Sequence, residues 1–91
     1  MSKFIGRVGE FVMESAQYIG AEINESPFRK EIVMCFITPN DDNIRITTTS
    51  RKIQPNIGSQ YMIRFKVKTH WESNGVKITY GSRLSIEGDL Q

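Results

Sequence analysis

The sequence predicts a small barrel or strongly twisted sheet of four or five antiparallel strands, and three observations carry that expectation. Residues 31–38, EIVMCFIT, are apolar on both parities, as a strand covered on both faces requires. Residues 43–50 and 60–68 alternate instead. Ile44 and Ile46 oppose Arg45 and Thr47, and Tyr61, Ile63, Phe65 and Val67 oppose Arg64, Lys66 and Lys68. Clusters of turn-forming residues, Pro39-Asn40-Asp41-Asp42 and Glu72-Ser73-Asn74-Gly75, punctuate these runs.

Residues 3–24 admit two readings. A long curved strand starting at KFIGRVGEFVM, bent at Gly6 and Gly9, keeps the chain all-β. An amphipathic helix over 10–19 makes it α+β. Val12, Ala16, Ile19 and Ile23 recur at helical spacing, Glu10, Met13, Glu14 and Gln17 are good helix formers, and Gly20 is placed to end the helix. Asn24-Glu25-Ser26-Pro27 reads as a loop. Pro55 breaks the pattern in a connector over 51–57. Residues 58–83 then read as a hairpin with Trp71 at its tip. In the last strand Val76, Ile78, Tyr80, Leu84 and Ile86 alternate against Lys77, Thr79, Arg83 and Ser85, which assigns Tyr80 to the core. Gly81 is placed to kink that strand, and residues 88–91 read as a free end.

The 91 residues amount to one domain, and 38% hydrophobic with 24% charged residues is an ordinary globular mixture. A core this small gains from an oligomer interface, so a homodimer or larger homo-oligomer is an expected partner state. One cysteine, Cys35, excludes an internal disulfide. No apolar run approaches the roughly 18 residues of a membrane helix, and the polar opening residues do not resemble a signal peptide. The expectation is a cytoplasmic protein with no membrane partner.

Charge is unevenly spread. Residues 1–42 hold four Lys/Arg and seven Asp/Glu, whereas residues 43–83 hold eight Lys/Arg and the single acid Glu72. Clustered cations create a local field that the net charge of +2 conceals, and such a field suits a polyanion. A lone His70, a lone Cys35 in the most apolar strand and scattered carboxylates form no nucleophile–base set. Asp41 and Asp42 lack calcium-loop spacing, zinc has too few ligands, and no glycine-rich loop leads to Lys and Ser/Thr. No enzyme, cofactor or metal site is expected.

Binding is better supported. On a strand, Arg64, Lys66 and Lys68 project to one side about 7 Å apart per step, near the phosphate repeat of an extended single strand. Arg45, Lys77 and Arg83 extend that surface if their strands are neighbours, and Arg51 and Lys52 lie at the connector. Trp71, beside His70 at the hairpin tip, is poorly placed for burial and well placed for base stacking, or else for anchoring a protein partner.

The segment Ile57-Gly58-Ser59-Gln60-Tyr61-Met62-Ile63, the basic strand after it, Trp71-Glu72-Ser73-Asn74-Gly75 and the long last strand resemble the C-terminal half of bacterial single-stranded DNA-binding proteins. They also resemble the related primosomal protein. Phe4-Ile5-Gly6-Arg7-Val8 is similar to the opening strand of that group. The resemblance implies a five-stranded OB-like Greek-key barrel with a long C-terminal hairpin. It implies Gly58-Ser59 at the entry to the fourth strand, Trp71 as a stacking aromatic and Asn74-Gly75 as the tip turn. Asp89-Leu90-Gln91 is not the long acidic-tipped extension of the main family, so a stripped core is implied, of the kind phage or mobile elements encode. The functional expectation is non-enzymatic binding of single-stranded nucleic acid, the single-stranded DNA of replication or recombination in the first place. The alternative is a small interaction module or inhibitor that uses the same basic face on an acidic partner.

Overall fold

The computed structural model describes residues 3–25, 27–28, 30–48 and 55–89. Its strands are β1 (Phe11–Glu25), β2 (Lys30–Ile37), β3 (Asn43–Thr48), β4 (Gln60–Ser73) and β5 (Val76–Asp89). They close into a barrel in the order β1-β2-β3-β5-β4. Neighbours are antiparallel except β3 and β5, which run parallel over four register pairs. The protein is all-β, with no helix among the described residues, and its small five-stranded barrel is OB-like.

The core follows the alternation in the sequence. Tyr61, Ile63, Phe65 and Val67 of β4 point inward against Ile44 and Ile46 of β3, Met34 and Phe36 of β2, Ala16 and Tyr18 of β1, and Leu84 of β5. Five of these side chains are wholly inaccessible, so the barrel interior is filled and encloses no channel. Of the other parity of β2, Val33 is buried outside the core cluster, while Cys35 and Ile37 are half-covered.

Residues 10–19 are strand, not helix. Val12, Glu14 and Ala16 face Phe65, Ile63 and Tyr61 of β4, and the second half of β1 pairs with β2. A helix would have buried Ile19 and Ile23, which are 48% and 59% exposed. Pairing on both edges of β1 outweighs the local preference of its Glu, Met and Gln residues. The strand also starts later than Lys3. Its irregularity lies between Tyr18 and Gly20, where Gly20 at φ 132° takes a conformation that side chains disfavour.

Residues 3–6 form a strap across one end of the barrel. Lys3 N–H donates to Asp42 Oδ1 (2.9 Å), and Ile5 N–H donates to Thr79 Oγ1 (2.9 Å). The Phe4 ring stacks on His70 at 4.5 Å between centroids. Inward-pointing Glu14 lies beneath, lining a cavity with Lys3, Phe4 and Asp42.

β5 departs from simple alternation. Thr79 is fully buried and bonded to the strap, and a Cβ on Gly81 would come within 2.4 Å of the Phe65 ring. Positions 79 and 81 therefore face inward and Tyr80 faces outward, not into the core. Opposite Phe65, β5 carries two residues, Arg83 and Leu84, between the pairs Arg64–Ser85 and Lys66–Ser82. This bulge, with Arg83 at φ 56°, restores Leu84 to the core. Gly88 and Asp89 are not a free end, since they pair with Met62 and Tyr61. The hairpin tip is the two-residue turn Asn74-Gly75, both at positive φ (52° and 80°), as a tight hairpin requires.

Candidate nucleic-acid interface

Lys66 lies between Phe65 and Val67, both wholly buried, so its side chain leaves the barrel. Its register partners are Phe11 on β1 and Ser82 on β5. Arg64 also points outward, with its guanidinium 4.5 Å from the centre of the Phe11 ring, a cation–π contact. Phe11 is 46% exposed, which places an aromatic among the cations of β4.

Lys68 is an extra residue of β4, between the pairs Val67–Gly81 and Thr69–Tyr80. This bulge carries β4 past the change of facing on β5, so that Thr69 and Trp71 share the outward side with Tyr80 and Ile78. Lys66, Lys68 and Arg83 line a groove of about 360 Å³ with Val8, Gly9 and Ser82. Glu10, whose backbone carbonyl accepts from Val67, turns its carboxylate back onto the Arg7 N–H. The groove itself carries no acid.

Above the groove, Trp71 is 60% exposed, and its cross-strand partner is Ile78. Ile78 is 7% exposed yet outside the core cluster, so it is covered on the outer side. Tyr80 pairs with Thr69 on one side and with Arg45 of β3 on the other. Arg45 in turn pairs with Cys35 of β2, which pairs with Gly20 of β1. The rung Gly20–Cys35–Arg45–Tyr80 thus runs around the barrel wall. Glu22, Cys35, Arg45 and Asn43 line a groove of about 300 Å³ along it. Burial pushes the Cys35 thiol above its ordinary range; the Arg45 charge opposes this and the Glu22 charge adds to it.

Of the cations singled out in the sequence, Arg64, Lys66, Lys68 and Arg83 come together, and Arg45 joins the same wall through Tyr80. His70 and Lys77 do not. His70 pairs with inward-facing Thr79, and its Nε2 lies 3.3 Å from the Ile5 carbonyl. Lys77 Nζ lies 5.6 Å from the centre of the Phe4 ring. Both belong to the strap side of the hairpin. Arg51 and Lys52 lie outside the described residues.

Sequence reasoning did not place Phe11 and assigned Tyr80 to the interior. The signal for Phe11 was its offset of one from inward-facing Val12. For Tyr80 the only clue was Gly81, whose missing side chain marks the inward position. Among the described residues no group of three or more His, Cys, Asp or Glu is placed to hold a metal ion. No family model, curated protein or solved structure matches the chain.

Proposed function

We propose that this barrel binds single-stranded nucleic acid, as its resemblance to the single-stranded DNA-binding group suggests, without catalysing a reaction on it. One observation carries the reading: successive outward rungs of the β4–β5 ladder, Lys66–Ser82, Thr69–Tyr80 and Trp71–Ile78, bring a basic groove, the exposed Trp71 and the half-buried Tyr80 onto one wall. Phosphates follow Arg64, Lys66, Lys68 and Arg83, where counterion release supplies affinity. Bases stack on Trp71 and Tyr80, an interaction that is open to any base and worth about 1–3 kcal/mol each. Arg45 extends the same wall onto β3.

Trp71 is the only tryptophan, so its fluorescence reports the site directly. Titration with oligothymidylate at low salt is expected to quench it, with affinity falling steeply as salt rises. An unchanged spectrum at every oligonucleotide concentration would sink the reading. The alternative, an acidic protein partner on the same wall, predicts instead a partner that survives nuclease treatment during capture.

A further inference from the structure

The groove on the other side of Arg45 has a chemistry of its own. Gly20, Cys35 and Arg45 form one rung across β1, β2 and β3, and Glu22 stands two residues beyond Gly20 on the same side of β1. Neighbouring strands are about 4.8 Å apart, so β1 and β3 stand about 10 Å from each other across this floor. A Cβ at Gly20 would meet nothing within 4 Å, which leaves the rung open above Cys35. One wall offers a carboxylate that only accepts hydrogen bonds, and the other a guanidinium that only donates them. Glu22 and Arg45 both act electrostatically on Cys35 between them, and the pair is not among the ion pairs of the described residues.

We infer that this groove holds a single guanine base of the bound strand and makes the protein guanine-preferring. The inference rests on the proposed single-strand binding, because Arg45 is where the groove meets the Tyr80 platform. Guanine alone among the four bases of DNA presents adjacent donors, N1–H and the N2 amine, on one edge and a paired acceptor, O6 with N7, on the other. Glu22 matches the first edge. Arg45 matches the second, the commonest specific contact of arginine with a base. Glu22 stands one outward row beyond Arg45, opposite Val33 and Thr47, so the two backbones are about 12 Å apart on the diagonal, which leaves room for a purine ring hydrogen-bonded on both edges. The half-covered thiol of Cys35 lies beneath the ring.

The test compares oligothymidylate nine residues long with the same strand carrying one central guanine, adenine, cytosine or hypoxanthine. It reads Trp71 quenching and, separately, alkylation of Cys35. The guanine strand is expected to bind about tenfold tighter than oligothymidylate, hypoxanthine falling between because it lacks the amine. The guanine strand alone should slow Cys35 alkylation. Glu22→Gln, at an exposed position, should abolish the preference without lowering oligothymidylate affinity or Tm. Quenching by all strands with equal affinity, a preference for another base, or a preference that survives Glu22→Gln would each overturn the guanine site while leaving single-strand binding in place. Absence of quenching by every strand would instead remove the reading beneath it.

Discussion

Tyr80 separates two accounts of the last strand. As a core residue it would cost about 3–5 kcal/mol of stability on truncation to alanine. As an outward platform it should cost little stability and about 1–3 kcal/mol of binding. The structure places it outward, so Tyr80→Ala is expected to unfold near the wild-type temperature while binding single strands more weakly, checked by thermal melts alongside Trp71 titration. Its neighbour is the opposite case. Gly81 is filled by Phe65 of the neighbouring strand β4, with the Lys66 carbonyl 3.0 Å from where a Cβ would sit. Gly81→Ala should destabilise by about 1–3 kcal/mol through overpacking, read as a lower denaturant midpoint. In the sequence, alternation assigns Tyr80 to the wrong side, because alternation assumes an unbroken ladder. The bulge at Arg83–Leu84 exchanges the faces, and it appears only in the register of β5 against β4.

At the scale of elements, β2, β3 and the inward half of β4 were legible because their apolar residues alternate or crowd as strands demand. β1 was not legible. Its residues favour a helix locally, and only the two strands flanking it make it extended. The cations of β4 were legible as a row, but their company was not, since Phe11 arrives from β1 and Arg83 from a bulge. The strap is the clearest case of an element invisible in the sequence. It has no periodicity, and it is held by Ile5 buried in the core, by one ring stack, by hydrogen bonds to Thr79 and Asp42 and by the His70 contact with the Ile5 carbonyl. Phe4→Ala removes the stack and exposes the His70 ring. It should speed hydrogen exchange at the Ile5 amide and lower the melting temperature by several degrees, at about 4–8 °C per kcal/mol for a domain of this size.

For the whole molecule, closure brings an inward carboxylate under the strap. Burial raises the Glu14 pKa above its ordinary value of 4.5, Asp42 raises it further, and Lys3 partly offsets the two. The folded state therefore holds this proton more tightly than the unfolded chain. The resulting stabilisation is complete below the ordinary carboxylate pKa and is lost as pH rises through the folded one. Glu14→Gln removes that loss. Its melting temperature should exceed the wild-type value at pH 7, and the difference should shrink to nothing as pH falls below 4.5. A difference independent of pH would assign the gain to packing instead.

The hydrogen bond from Ile5 to Thr79 joins residues 74 positions apart. The strap precedes β1, yet its partner is in β5, which is also the parallel neighbour of β3. On a ribosome, the early strands of such a chain emerge with the barrel still open and its apolar interior facing solvent. Closure must therefore wait until β5 has emerged. It should be slow for its size, as topologies dominated by distant contacts are, and while it waits the nascent chain is a candidate for chaperone capture.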